Sequence, residues 1–242
     1  MEKGTKIKVF MTKREQFLGL CYLAFQNLML PDLLRSVLTI FGSTQDDAVL
    51  NLLYFTVNFL AVAILFRKFW AASWKDFAAE AWPCIWKATA GLLACKIAVL
   101  LLNLLLQLWQ PDYFQSTPLG PALRNPNDMH IGQMVQSMPI LFSIATVFLV
   151  PPVEETFYRG LIFGGLYRKN KIVAYALSVV LFSMIHILGY LNMGDPVLLS
   201  LCFVQYLIPA LCLCLLYGST GSVITPILMH VAYNAIGILF VR

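Results

Sequence analysis

The chain has 242 residues and a net charge of +5, and it is 60% hydrophobic with only 12% charged residues and a mean hydropathy of +0.76. These proportions exclude an ordinary soluble globular domain and predict a protein whose main solvent is a bilayer. The basic excess lies on the flanks of apolar runs rather than in a patch interleaved with aromatic residues, so nucleic acid is not an expected partner.

Lys3, Lys6, Lys8, Lys13 and Arg14 precede the first apolar run. This resembles the basic region of a signal peptide, but no small-x-small cleavage site follows, and Gln26-Asn27-Leu28 is a poor substitute. A retained first span with a cytoplasmic N-terminus is expected. Region 16–40 is interrupted by Pro31-Asp32 and Arg35, which predicts a short span followed by an interfacial segment. The stretch 43–47 then lies outside and 48–66 forms a span. Arg67, Lys68 and Lys75 mark the return to the cytoplasm. Residues 69–87, with Trp70, Trp74, Trp82 and Trp86, predict an amphipathic helix lying in the interface.

A span over 88–109 leads to an external segment 110–135, in which His130 is assigned no chemistry and Asn127 or Asp128 is expected to cap the next helix. Long apolar runs follow at 136–167, 171–190, 196–217 and 222–241, separated by a basic turn at 168–171, a cap at Asp195-Pro196 and a Gly-rich turn at 217–221. About 20 apolar residues cross a hydrocarbon core. The expectation is an all-α polytopic membrane helix bundle of about seven spans, with six to eight as the range. It forms one domain, 1–242: N-terminal helices over 1–135 and a core over 136–242.

The six cysteines, Cys21, Cys84, Cys95, Cys202, Cys212 and Cys214, sit in or beside apolar segments and read as small buried hydrophobes. Cys212 and Cys214 point to opposite sides of a helix, which argues against a metal pair. Gly160 and Gly164, four apart, read as a close-packing surface between helices. Lys96 lies within a span and leaves three readings open: snorkelling, pairing with an acid, or lining a cavity.

The stretch VEETFYRG at 153–160 places Glu154, Glu155 and Arg159 inside an apolar run, where each charge costs about 2.5–3.5 kcal/mol on insertion scales. Glu155 and Arg159, at i and i+4, can neutralise each other. Glu154 is about 100° further round the helix and needs another partner, a proton, or a wet cavity. His186, His230 and Asn234 are the other polar groups that decide the matter. Counted at 1.5 Å per residue from their turns, Glu154 and His186 lie roughly 21 and 22 Å deep, and His230 and Asn234 roughly 13 and 19 Å. Four side chains on three helices thus fall in one layer near the bilayer midplane.

The ordered set EExxxR (Glu154, Glu155, Arg159), FxxxH (Phe182 to His186) and HxxxN (His230 to Asn234) resembles the CPBP family, also called Abi. That family includes the type II CAAX prenyl endopeptidases and bacteriocin-processing and immunity relatives. The resemblance covers roughly 136–242 and implies an intramembrane endopeptidase acting on a peptide or a lipidated, membrane-associated protein. By residue matching, Glu154 is the general base and His186 holds or helps deprotonate the water. His230 and Asn234 stabilise the oxyanion, and Glu155 with Arg159 orients the site. Buried carboxylates and imidazoles suit such proton transfer, and donors in a dry site suit the oxyanion. A cavity open to one side is expected to admit water.

Zinc is an open alternative, with Glu154, His186 and His230 as three ligands and water as the fourth, although no HExxH motif is present. Two other function classes also stand: a non-proteolytic binding or immunity protein of the same fold, and a proton-coupled transporter. No internal repeat supports transport, and every position of the catalytic set is filled, which argues against an inactive scaffold. The expected location is the bacterial cytoplasmic membrane, with membrane lipids as partners.

Overall fold

The computed structural model describes residues 6–42, 47–118 and 120–241. Ten helices and one short hairpin make up the fold, in the order α1 (Lys13–Leu28), α2 (Leu30–Ile40), α3 (Asp47–Leu65), α4 (Arg67–Ala79), α5 (Ala81–Trp109), β1 (Phe114–Thr117), β2 (Gly120–Leu123), α6 (Pro126–Ser137), α7 (Pro139–Tyr167), α8 (Lys171–Leu188), α9 (Pro196–Thr220) and α10 (Ile224–Val241). The predicted runs and the observed helices agree closely: 48–66 is α3, 171–190 is α8 and 196–217 is α9.

Among the described residues, five helices, α3, α5, α7, α8 and α9, are long and apolar enough to cross a membrane. The pair α1 and α2 makes a sixth span if its two halves, bent by 54°, are one element, and Ile224–Leu239 of α10 is a shorter apolar helix. Large apolar side chains such as Ile64, Leu108 and Phe148 are exposed on these helices. Water would penalise that surface, whereas lipid covers it without cost, so this is an integral membrane protein. The external segment predicted at 43–47 lies outside the described residues save for Asp47, which opens α3.

Local chemistry sets the breaks. Thr12 and Glu15 form a reciprocal capping box that starts α1. Pro31, in the first turn of α2, suits a helix start and not the continuation of α1. Asp195 caps α9, as expected, by accepting from the Leu198 N–H at 2.9 Å. Asn125, rather than Asn127 or Asp128, caps α6, because its Oδ1 is the acceptor that meets the Asn127 N–H at 3.0 Å. The external segment also holds the hairpin β1–β2, in which the buried Phe114 and Leu123 face each other across the ladder.

The tryptophan-rich stretch 69–87 is divided between α4 and the start of α5. Trp74, Trp82 and Trp86 are exposed, as interfacial residues would be, but Trp70 turns inward and its indole N–H donates to Thr156 Oγ1 at 2.7 Å. Phe69, Ser73 and Phe77 of α4 are buried in the protein, so this helix packs one face onto the bundle. Gly160 lies where a Cβ would meet Met11 Cε and Phe69 at 2.9 Å. Gly164 similarly faces Tyr217, so the two glycines serve close packing, against side chains of α4, α9 and the N-terminal segment.

The central element is α7. Pro151 and Pro152 cannot donate to the carbonyls one turn earlier, which breaks the ordinary ladder. The helix passes through them instead of ending, with π-helical stretches at Ala145–Leu149 and Thr156–Phe163 on either side. Such wide turns frequently mark functional sites. Thr156 Oγ1, at the start of the second stretch, donates to the Pro152 carbonyl one turn earlier at 2.6 Å.

Candidate active site

The second π-helical stretch begins next to the two glutamates, and their neighbours treat them differently. Glu155 is fully buried, and its Oε1 accepts from Arg159 Nη1 at 3.2 Å and lies 2.9 Å from His230 Nδ1. Arg159 is also fully buried: Nη2 donates to the Ala210 carbonyl of α9 at 2.9 Å, and the guanidinium carbon lies 4.3 Å from the centre of the Phe182 ring. One buried charge pair thus joins α7, α8, α9 and α10. Each charge is paired and hydrogen-bonded through one end, which offsets part of the cost of burial, while Glu155 Oε2 and Arg159 Nε have no hydrogen-bond partner.

Glu154 is not locked in this way. Its side chain is 22% exposed, and its Oε2 lies 3.7 Å from His230 Nε2, beyond hydrogen-bond length, and has no hydrogen-bond partner in the protein. It lines a cleft of about 70 Å³ between α7 and the N-terminal helices α1 and α3. Apolar walls from Phe55, Leu149, Val153 and Phe157 make the cleft suited to an apolar chain, with Gln26, Asn27, Tyr54 and Asn58 as polar points.

His186 joins the set through Phe182. The Phe182 ring centroid is 4.6 Å from that of His186 and 5.9 Å from that of His230, so one aromatic side chain separates and positions both imidazoles. His186 Nδ1 lies 2.7 Å from the Phe182 carbonyl, and with its proton there Nε2 carries a free lone pair. Tyr206 of α9 covers the ring on another side at 4.3 Å between centroids. Asn234 of α10 donates from Nδ2 to the Thr146 carbonyl at 3.1 Å, across to the first π-helical stretch. Of the six predicted residues, Glu155 therefore bonds Arg159 and adjoins His230, and Glu154 lies 3.7 Å from His230, while His186 and Asn234 are held nearby through Phe182 and Thr146.

A zinc site from Glu154, His186 and His230 does not assemble. Among the described residues, no group of three histidine, cysteine or carboxylate side chains is placed to hold a metal ion. His230 Nδ1 is turned to Glu155 and His186 Nδ1 to a carbonyl. Lys96 finds a partner that charge counting overlooked, the face of the Tyr233 ring, with Nζ 3.5 Å from its centre. Cys214 is within 3.3 Å of Ser178 Oγ, and all six cysteines are free thiols. Sequence reasoning missed Phe182 as the shared spacer, Tyr206 on His186, and the amides Gln26 and Asn58. The signals available for the last two were the Gln26-Asn27 run closing the first apolar stretch and an asparagine at 58 inside an apolar span.

Residues 136–236 match the family model described as type II CAAX prenyl endopeptidase Rce1-like. No curated protein and no solved structure matches the chain. The matched segment runs from the end of α6 to α10 and contains Glu154, Glu155, Arg159, His186, His230 and Asn234. Residues 136–236 thus carry a domain of the Rce1-like type II CAAX prenyl endopeptidase family.

Proposed function

We propose that the protein is an intramembrane endopeptidase that hydrolyses a peptide bond of a membrane-associated or lipidated peptide or protein, with Glu154 as general base. The observation that carries this reading is the asymmetry of the two carboxylates: Glu155 is fully buried between Arg159 and His230, while Glu154 is 22% exposed and lines the cleft. In the mechanism, Glu154 takes a proton from water as the oxygen attacks the scissile carbonyl carbon. The same carboxylic acid then gives that proton to the departing amine.

His186, through Nε2, accepts a hydrogen bond from the attacking water and so orients it. The oxyanion is met by Asn234 through its second amide N–H and by His230 Nε2 when that nitrogen carries a proton. Glu155 beside Nδ1 stabilises that charged imidazole, and Arg159 holds Glu155 in place. No metal is needed for any of these steps. An apolar cleft with a few amides suits a peptide of apolar side chains, and the site's location favours a substrate delivered by the membrane.

The test is cleavage of a quenched peptide library, with and without prenylated members, by detergent-purified wild type and Glu154→Gln, with products identified by mass spectrometry. Cleavage by wild type that is lost in a well-folded Glu154→Gln protein supports the reading. Absence of cleavage by well-folded wild type across the library overturns it in favour of a binding or immunity protein.

A further inference from the structure

The N-terminal helices lie outside the matched segment, yet they build one wall of the cleft that holds Glu154. Three amide side chains line that wall, and two are already engaged. Asn58 Oδ1 accepts from the Tyr22 hydroxyl at 2.9 Å while its Nδ2 donates to the Tyr54 carbonyl at 2.9 Å. Asn27 Nδ2 donates to the Leu23 carbonyl at 2.7 Å. Gln26 differs: it is only 7% exposed, and its Oε1 is buried with no donor within reach.

A buried carbonyl oxygen without a donor is costly, and native proteins rarely keep one that nothing uses. The missing group is an N–H or O–H donor arriving in the cleft. An amide oxygen is neutral, so it suits a neutral donor in apolar surroundings better than a cation that would arrive undressed of water. An extended peptide presents one such donor on the main chain of each residue that is not proline.

We infer that Gln26 is a substrate-binding residue, whose Oε1 accepts a main-chain N–H of a peptide lying in the cleft between α1, α3 and α7 with its scissile bond beside Glu154. The inference rests on the peptidase reading for the identity of the ligand, and it assigns to α1 a role in choosing substrates. Proline is excluded from the residue that meets Gln26, whatever the side chain preferences of the apolar walls.

The experiment separates binding from cleavage. Full-length Glu154→Gln protein in detergent is screened with a library of fluorescent peptides, prenylated and not, and the tightest binder is resynthesised as a series carrying one N-methyl group at each position in turn. Expected is one position at which N-methylation weakens binding about tenfold. In the Gln26→Met, Glu154→Gln protein that penalty disappears, and the parent peptide binds about tenfold more weakly. Gln26→Asn, which keeps the amide but withdraws the oxygen by one methylene, serves as a second variant should the methionine protein not stay monodisperse. In otherwise wild-type protein, Gln26→Met raises KM and leaves kcat within about twofold. A pattern of N-methyl penalties unchanged by both Gln26 variants, or no peptide bound by well-folded Glu154→Gln protein, overturns the inference. Binding that depends on Gln26 together with no cleavage by wild type leaves the inference standing and removes the hydrolytic reading instead.

Discussion

His230 Nδ1 lies 2.9 Å from Glu155 Oε1, the same oxygen that accepts from Arg159 at 3.2 Å. One carboxylate oxygen therefore serves a guanidinium on its own helix and an imidazole 75 residues away. Glu155 is consumed in holding α7 to α10, and its neighbour Glu154 is the carboxylate left partly exposed at the cleft. The two glutamates are adjacent in sequence but have separate tasks.

Glu154→Gln removes the base and keeps size and polarity. Hydrolysis falls by about 10²–10⁴-fold, the usual contribution of a general base. Thermal unfolding in detergent stays close to wild type, because the side chain is partly exposed and its Oε2 makes no hydrogen bond, only a 3.7 Å approach to His230. A fully active Glu154→Gln protein would remove Glu154 from the mechanism.

Breaking the buried pair acts on folding instead. Glu155→Leu and Arg159→Met each leave an uncompensated charge in the core and cost about 3–5 kcal/mol. The double variant Glu155→Leu, Arg159→Met recovers a large part of that loss, since neither orphaned charge remains. Unfolding midpoints of the four proteins in one detergent measure the coupling, and additive losses would contradict it.

Phe182 is buried and touches Arg159, His186 and His230. Phe182→Leu keeps an apolar side chain but loosens both imidazoles. A misplacement of about 1 Å can cost up to roughly 100-fold in rate, so kcat falls while KM changes little. A change confined to KM would assign Phe182 to substrate binding.

Gly221 ends α9 with φ of +81°, and a Cβ there would run into the Lys6 carbonyl of the N-terminal segment. Gly221→Ala therefore destabilises by at least the roughly 1–2 kcal/mol of a left-handed residue with a side chain. Gly165→Ala, where a Cβ meets open space, is the matched control and leaves the unfolding midpoint unchanged or slightly higher.

Chelation separates the two catalytic schemes that the residue types permit. With no three metal-ligating side chains grouped among the described residues, 1,10-phenanthroline and EDTA leave the cleavage rate within about a factor of two. A loss of activity restored by zinc would return Glu154, His186 and His230 to the role of ligands.

The boundaries of the spanning helices were legible because hydropathy is a local property: 48–66 was read where Asp47–Leu65 is found. The contact of Glu155 with Arg159 was legible for the same reason, since four residues along a helix bring side chains together. Trp70 was misplaced because an aromatic residue near charges looks interfacial, whereas its N–H was needed by Thr156 from a helix 86 positions away. The π-helical turns were not foreseen, because two prolines announce a disturbed ladder without saying how the chain absorbs it.

By itself the sequence determined that the chain lives in a membrane, which helices carry the polar groups, and the family of the segment that holds them, because composition, periodicity and motif spacing are all written along the chain. Only the tertiary structure decided that Glu155 is sealed and Glu154 open, that Phe182 stands between the histidines, and that Gln26 of the first helix faces the same cleft. Those outcomes depend on which faces of distant helices meet. Competing polar residues in a low-dielectric interior find partners only when packing brings them within hydrogen-bond reach, and no local pattern specifies which of them is left without one.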